Sequence, residues 1–203
     1  MTAAASSIAV ASFDEDQHVV LHGMAWQDFE ALLAIRGDRT GVRMYYLDGS
    51  IELMRPAKIH EGRKTMLARL LEQWAIESDV VLEGFGSWTL KKELREAGAE
   101  PDECYILGSG EGDVPDLAIE IEWSRATGLA KHEIYRRLGV RELWTLKNDG
   151  TLLVRVLQRD QWVEATKSKL LPQLDVTWLL SFLGHETQTE ALRALRASLR
   201  ERR

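Results

Sequence analysis

The chain has 203 residues, of which 45% are hydrophobic and 29% charged. This length and composition predict one globular domain that buries a full core. A net charge of −6 argues against a general nucleic-acid coat protein, although 26 Lys and Arg residues allow an enzyme to contact nucleic acid over a local patch. The single cysteine, Cys104, excludes a disulfide framework or a cysteine zinc cluster and fits a reducing cytoplasm. No apolar run reaches membrane-spanning length.

The first part of the chain predicts a flexible tail followed by a helix and a hairpin. Residues 1–20 have no basic residue before their short apolar stretch, so a tail is favoured over a secretory signal. Residues 25–35 carry large apolar side chains at helical spacing. Two short β-rich runs, 42–47 and 51–54, flank an Asp-Gly turn and predict a β-hairpin.

A second helix is predicted over residues 60–78, where apolar residues recur three and four positions apart opposite a charged face. After it, residues 80–90 are interpreted as one strand interrupted at Gly84 and Gly86, because glycines inside a strand pattern indicate a bend or bulge.

The central stretch predicts a hairpin whose second strand carries two acids on one face. Each strand follows a Pro-Asp pair, and a turn rich in glycine and acidic residues separates residues 103–107 from residues 117–123. In the second strand, apolar residues alternate with others that include Glu120 and Glu122, so these two glutamates share one face. Two carboxylates on one face repel each other unless solvent, a cation or a basic side chain lies between them.

The remaining elements predict a crossover and a second hairpin. A helix over residues 129–138 ends at Gly139 and is followed by a strand over residues 140–146, so a helix connects two strands that we expect to be parallel. We therefore expect a single domain over residues 21–185 followed by a charged terminal helix. The later predicted elements are a hairpin over residues 152–157 and 161–165, a short helix over 175–183 and the charged C-terminal helix over 186–203.

The order helix, strand, strand, strand, helix, strand is that of the restriction-endonuclease-like nucleases with the PD-(D/E)XK signature. Over about residues 26–183 the chain resembles the Uma-two family, described as putative restriction endonucleases. The resemblance implies an α/β (α+β) fold in which helices flank a mixed central β-sheet, with an added N-terminal helix and hairpin. It rests on seven stretches in order: YYLDGSIELMRP, IHEGRKTMLARLL, GSWTL, AEPDECYIL, VPDLAIEIEWS, KHEIYRRLGVRELW and SKLLPQL.

The resemblance implies site residues at the matching positions. Asp102 stands at the first metal-binding aspartate of the superfamily, and Glu120 at the second carboxylate. The usual lysine, two positions after that acid, is replaced by Glu122 in this chain. The resemblance indicates that Lys131, on the following helix, supplies the missing amine, and that Glu61 is an additional acid.

The implied activity is hydrolysis of phosphodiester bonds, with DNA as the expected substrate. Asp102, Glu120 and Glu122 would supply oxygen ligands for Mg²⁺ or Mn²⁺, and Lys131 would orient the attacking water or stabilise developing charge. His60, beside Glu61, belongs to the same matching stretch. We expect a cytoplasmic protein that is not a membrane protein. A homodimer is one expected assembly, since many DNA-cutting enzymes act as dimers.

Several alternatives stay open at this point. Asp116 follows a proline as Asp102 does, and is interpreted mainly as a strand cap. Instead of binding a metal ion, Glu122 could face solvent or pair with Arg125. Instead of acting in the site, Lys131 could be a solvated helix residue. Ser124 and Cys104 lack a histidine partner in a catalytic signature, which disfavours nucleophilic catalysis. Two further function classes stay open. In the first, the fold is a DNA-binding or protein-binding module without turnover. In the second, the site binds a metal ion but acts on RNA or a nucleotide.

Overall fold

The computed structural model describes residues 15–108, 110–123 and 128–202. Within these ranges the chain forms eleven β-strands, five α-helices and two short 3-10 turns. The strands are β1 Gln17–His22, β2 Arg43–Leu47, β3 Ser50–Arg55, β4 Leu82–Gly84, β5 Leu90–Lys92, β6 Ala97–Ala99, β7 Glu103–Leu107, β8 Leu117–Glu122, β9 Glu142–Lys147, β10 Leu152–Gln158 and β11 Gln161–Ala165. The helices are α1 Trp26–Arg36, α2 Lys58–Glu77, α3 Lys131–Leu138, α4 Val176–Leu180 and α5 Gln188–Glu201.

The strands form two sheets. One has five strands in the order β1-β3-β2-β6-β5, and the other has six in the order β11-β10-β9-β8-β7-β4. The predicted hairpin of β7 and β8 is antiparallel, and β8 and β9, connected through α3, are parallel. The mixed α/β fold with its βαβ crossover is therefore confirmed: the six-stranded sheet is the mixed central sheet, and the predicted N-terminal hairpin, β2 and β3, belongs to a second sheet.

Three hydrophobic clusters stack these elements into layers. The largest packs α2, α4 and α5 on one face of the six-stranded sheet. The second lies between the other face of that sheet, α3 and the five-stranded sheet. The third packs α1 on the outer face of the five-stranded sheet. Each large apolar side chain buried in these layers contributes about 1.5–3 kcal/mol, so this packing stabilises the arrangement of the two sheets around the polar groups between them.

Strand β8 is buried on both faces as far as Ile121, and Glu122 at its end is exposed. Leu117, Ile119 and Ile121 enter the largest cluster, whereas Ala118 enters the cluster between the sheets. Glu120 shares the face of Ala118 because side chains alternate along a strand. Its carboxylate therefore points between the two sheets.

The segment over residues 80–90 differs from its prediction, because it forms β4 and β5 in different sheets rather than one bent strand. A side chain at Gly84 would lie 3.0 Å from the ring of Tyr105, and Gly86 has φ +55°. Glycine at these positions lets the backbone cross Tyr105 closely and then turn out of the six-stranded sheet.

Two strands were not predicted. β1 occupies residues 17–22 at the edge of a sheet, so the predicted tail over residues 1–20 is wrong for its last four positions. It alternates weakly between exposed and half-buried residues and therefore carries little hydrophobic signal. β6 is the three-residue segment Ala-Gly-Ala, where a Cβ on Gly98 would lie 2.5 Å from the ring of Phe29. No helix in the described parts of the chain is long and apolar enough to span a membrane.

Candidate active site

Asp102, directly before β7, and Glu120, on β8, lie side by side. Glu103 pairs with Ile119 in the antiparallel register, and extending that register by one position places Asp102 opposite Glu120. Directly opposed residues share a face and have Cβ atoms about 4.5–5.5 Å apart. The backbone N–H of Ile121 donates to Oδ2 of Asp102 at 2.7 Å, which holds the aspartate against β8. Both carboxylates are buried, so the structure brings together two predicted acids separated by eighteen positions in sequence.

Helix α3 brings an ammonium group to Glu120. Nζ of Lys131 donates to Oε2 of Glu120 at 2.6 Å, and the hydroxyl of Tyr135 donates to Oε1. Lys131 and Tyr135 are one helical turn apart and share a face of α3. Nζ also donates to the hydroxyl of Tyr45 at 3.0 Å. The crossover that makes β8 and β9 parallel therefore places the predicted amine on the predicted acid.

The protonation of this pair follows from burial and mutual charge. Burial raises the pKa of the Glu120 carboxyl, Lys131 acts in the opposite direction, and the neighbouring Asp102 raises the pKa further. Burial by itself would lower the pKa of Lys131, but Glu120 and Tyr45 hold it well above its ordinary value. Lys131 is thus a protonated donor in this structure, suited to stabilise negative charge rather than to act as a base.

Asp102 belongs to a second buried network. Its Oδ1 lies 2.9 Å from Nε2 of His60 and 3.1 Å from Nε of Arg43. Burial would raise the pKa of Asp102, but Arg43 and His60 more than offset this and hold the pKa below its ordinary value. Nδ1 of His60 lies 3.0 Å from Oδ2 of Asp16, whose other oxygen accepts the N–H of Ala57 at 2.8 Å. His60 thus connects Asp16 to Asp102.

The charge of His60 follows from these two partners. Burial alone would lower the pKa of His60, but the carboxylates of Asp102 and Asp16 raise it to about 9. The imidazole is therefore protonated at neutral pH, and each ring nitrogen donates to one carboxylate.

Glu52 anchors the backbone that precedes α3. It is fully buried, its Oε1 lies 2.7 Å from Nδ1 of His18, and its Oε2 accepts the N–H of Leu129 at 2.7 Å. A Cβ at Gly128 would lie 2.3 Å from both carboxylate oxygens, so glycine allows this close approach. Leu129 lies two residues before Lys131, the first residue of α3. The contact with Glu52 therefore helps to fix the position at which α3 begins.

A cavity of about 350 Å³ opens at this cluster between the sheets. Glu122, the third predicted acid, is exposed and lines the cavity together with Glu120 and Lys131. Asp102 is fully buried beside it. The other ionisable side chains of the lining are Asp16, His18, Glu52, His132 and Arg155.

The structure places the other predicted residues as follows. Glu61 lies on α2, where Arg43 and Lys64 each approach its carboxylate to 2.8 Å. One guanidinium group, that of Arg43, therefore separates it from Asp102. Asp116 accepts the N–H of Leu107 at 2.9 Å, as expected of a strand cap. The alternatives that involve Ser124 and Arg125 lie outside the described residues.

Besides Tyr135, which shares a face of α3 with Lys131, sequence reasoning missed five polar residues of this site. Arg43 and Tyr45 alternate with apolar neighbours on β2, and Glu52 is a single acid within the apolar run of β3; these are weak signals of polar groups facing inward. Asp16 and His18 gave no signal, since the segment was interpreted as a tail.

The carboxylates fit a hard divalent cation in their chemistry, because oxygen donors are the ligands that Mg²⁺ and Mn²⁺ prefer. Over the described ranges, however, no three Asp, Glu, His or Cys side chains are grouped closely enough to hold a metal ion. Arg43 and His60 balance Asp102, and Lys131 balances Glu120. A metal ion that binds Asp102 and Glu120 would therefore replace one or more of these basic side chains as the partner of the carboxylates.

Comparison with known proteins identifies the family. A family model described as "Uma2: Putative restriction endonuclease" matches residues 26–186, well over half of the chain. The chain belongs to the Uma2 family. The match confirms the predicted resemblance. It begins after Asp16 and His18, so the contact of Asp16 with His60 and that of His18 with Glu52 come from outside the matched residues.

A solved structure shares the Uma2 chain's fold. The crystal structure of a putative nuclease belonging to DUF820 from Anabaena variabilis ATCC 29413 superimposes with a TM-score of 0.50 and 18% sequence identity, covering 80% of this chain and 96% of that chain. At this identity the likeness concerns the fold alone. No curated protein matches the sequence.

Proposed function

We propose that this Uma2 protein is a divalent-metal-dependent endonuclease that hydrolyses phosphodiester bonds, with DNA as its substrate. One observation carries the proposal: Asp102, directly before β7, lies opposite Glu120 on β8, and the ammonium group of Lys131 lies 2.6 Å from Glu120. Hydrolysis of a phosphodiester needs neutralised phosphate charge, an activated water and a stabilised leaving oxygen. The carboxylates of Asp102 and Glu120 and the ammonium group of Lys131, beside an open cavity, supply the groups for these tasks.

Asp102 and Glu120 would hold the Mg²⁺ or Mn²⁺ ion, with Glu122 as a further oxygen donor at the cavity. The ion, when bound, would neutralise phosphate charge and lower the pKa of a water molecule. Lys131 would donate hydrogen bonds to negative charge that develops on the phosphate oxygens. The hydroxyls of Tyr45 and Tyr135 would keep Lys131 and Glu120 in their relative positions.

The displaced lysine is consistent with this mechanism. The usual lysine position is taken by Glu122, whose side chain is exposed. The ammonium group of Lys131 reaches Glu120 from α3 instead, within the same layer between the sheets. A positively charged side chain is therefore available beside the two acids, although β8 itself provides only acids.

One observation favours a second candidate function, a nuclease-fold module that binds nucleic acid or a protein without turnover. Both central carboxylates are already balanced by Arg43, His60 and Lys131. A site that is neutralised internally can be stable without a metal ion. The two candidates differ in whether Mn²⁺ binds and whether any phosphodiester bond is cut.

The deciding experiment is a cleavage panel with supercoiled plasmid, single-stranded DNA and RNA in Mg²⁺, Mn²⁺ or EDTA. We expect metal-dependent cleavage of DNA and a loss of about 100-fold or more in Asp102→Asn and Glu120→Gln. Asp116→Asn is the matched control, because Asp116 also follows a proline at a strand entry but caps the backbone of Leu107. Equal cleavage by wild type and by the two site variants would reject the assignment. Absence of both cleavage and Mn²⁺ binding would favour the binding module.

A further inference from the structure

A second cavity, of about 610 Å³, lies between the α1–β2 loop and the start of α2. We call it the basic groove, because five basic side chains line it: Arg36, Arg39, Arg43, Arg55 and Lys64. Three acids also line it, namely Asp38, Glu61 and Glu100. The groove is therefore net positive on a chain whose overall charge is −6.

One acid of the groove is already used by the fold. Glu100 is 1% exposed and binds the guanidinium of Arg36 through both oxygens at 2.5 and 2.6 Å. It also accepts the N–H of Met44 at 2.9 Å and the hydroxyl of Thr89 at 2.7 Å. Arg36 and Glu100 thus form a structural pair that neutralises itself, and the remaining positive charge of the groove comes from other residues.

The buried guanidinium group of Arg43 is the main evidence that the groove takes an anionic ligand. The residue is 6% exposed; its Nη2 donates to Glu61 at 2.8 Å and its Nε lies 3.1 Å from Asp102. Its Nη1 is buried and has no hydrogen-bond partner among the described residues. Buried guanidinium N–H groups nearly always have a partner in native structures, and the planar guanidinium matches the geometry of phosphate.

Two more basic side chains line the groove with Arg43. Nζ of Lys64 lies 2.8 Å from Glu61, so Glu61 holds Lys64 and Arg43 next to each other. The Glu61 side chain is 41% exposed, which leaves this group open to the groove. Arg39, in the loop between α1 and β2, is exposed and lines the same groove. Together with Arg43 they give the groove three basic side chains for an anionic ligand.

We infer that the basic groove binds a backbone phosphate of the nucleic acid, adjacent to the phosphate that is cut, through Arg43, Lys64 and Arg39. The anion site rests on the groove's own geometry, and its assignment to nucleic acid rests on the proposed function. Arg43 contacts both Asp102 and the groove, so the two sites are separated by about one guanidinium group.

The test is equilibrium binding of a fluorescent DNA duplex by anisotropy in EDTA, repeated over a series of KCl concentrations. Each phosphate contact contributes about 0.9 to the slope of log K against log salt. Lys64→Ala and Arg39→Ala should each reduce that slope by about 0.9 and weaken binding roughly eightfold at 0.1 M salt, the factor that this exponent gives. Arg193→Ala, which removes an exposed arginine on α5, is the matched control and should change neither quantity.

Glu61→Gln gives a test of opposite sign, because it removes the negative charge that competes with a phosphate for Arg43 and Lys64. We expect tighter binding, compared at a temperature at which thermal melts show both proteins to be folded. Competition with inorganic phosphate and with single-stranded DNA distinguishes a general anion site from one that follows a nucleic-acid backbone. Inorganic phosphate should compete only at far higher concentration than DNA.

The outcomes separate this inference from the proposed function. Wild-type affinity and slope in both Lys64→Ala and Arg39→Ala, or no DNA binding by the wild type, would overturn the inference. Metal-dependent cleavage together with unchanged binding in these variants would leave the proposed function standing without the groove. Reduced slopes with no cleavage in any metal would support the groove and reject the nuclease assignment.

Discussion

Replacing Lys131 with methionine removes the ammonium group from a buried ion pair while keeping most of the side chain's volume. The pair is well shielded from solvent, with side-chain exposures of 16% for Lys131 and 2% for Glu120. Removing one partner of a buried pair costs about 3–5 kcal/mol, because the other charge is left uncompensated. Tyr135 still donates to Glu120 after the change, so we expect a loss of about 3 kcal/mol.

The double variant Lys131→Met/Glu120→Gln supplies the control, since it removes both charges. Its stability should lie within about 1 kcal/mol of wild type, which gives a coupling energy of about 2 kcal/mol or more between the two residues. The assay is urea unfolding of the four proteins in EDTA at pH 7. The deficit of Lys131→Met should shrink as pH falls, because protonation removes the unpaired charge of Glu120.

The same four proteins test the site's chemistry. If Glu120 is a metal ligand, Mn²⁺ should stabilise Lys131→Met at least as much as wild type, since the ion replaces the lost positive charge. Cleavage should fall by about 100-fold with metal binding retained, and Lys131→Arg should recover little, because a planar fork replaces a compact charge. A cost below about 1 kcal/mol for Lys131→Met, or a double variant as unstable as the single one, would refute the buried pair.

Two further predictions concern the groups around this pair. The pKa of His60, raised from 6.5 to about 9 in the folded state, means that its protonation stabilises the fold fully below pH 6.5 and that this stabilisation is lost as pH rises through 9. The free energy of unfolding should therefore fall by on the order of 3 kcal/mol over that window, less so in Asp16→Asn; urea titrations that give the same pH slope in His60→Gln would contradict this. Gly128→Ala should cost about 1–3 kcal/mol by forcing a methyl group against Glu52, whereas Gly62→Ala, which meets nothing within 4 Å, should be neutral or stabilising in the same thermal melts.

The sequence by itself determined the elements that carry the predicted acids and lysine. Alternation in β8 assigned Glu120 to the face opposite the largest core cluster, and Gly139 marked the end of α3 correctly. These features are local, because strand period, turn residues and helix ends depend on neighbours a few positions away. The resemblance then selected Asp102, Glu120 and Lys131, which the structure brings together, while their catalytic roles stay predictions.

Only the tertiary structure decided what surrounds those residues. Arg43, Tyr45 and Glu52 reach the site because the five-stranded sheet packs over β8, and His18 enters because β1 pairs with β3. It likewise separated β4 from β5 and placed Glu61 in the basic groove rather than beside Glu120. Such contacts join positions far apart in sequence, and their geometry is fixed by strand register and by the packing of one sheet on another, neither of which leaves a periodic signal in a short stretch of chain.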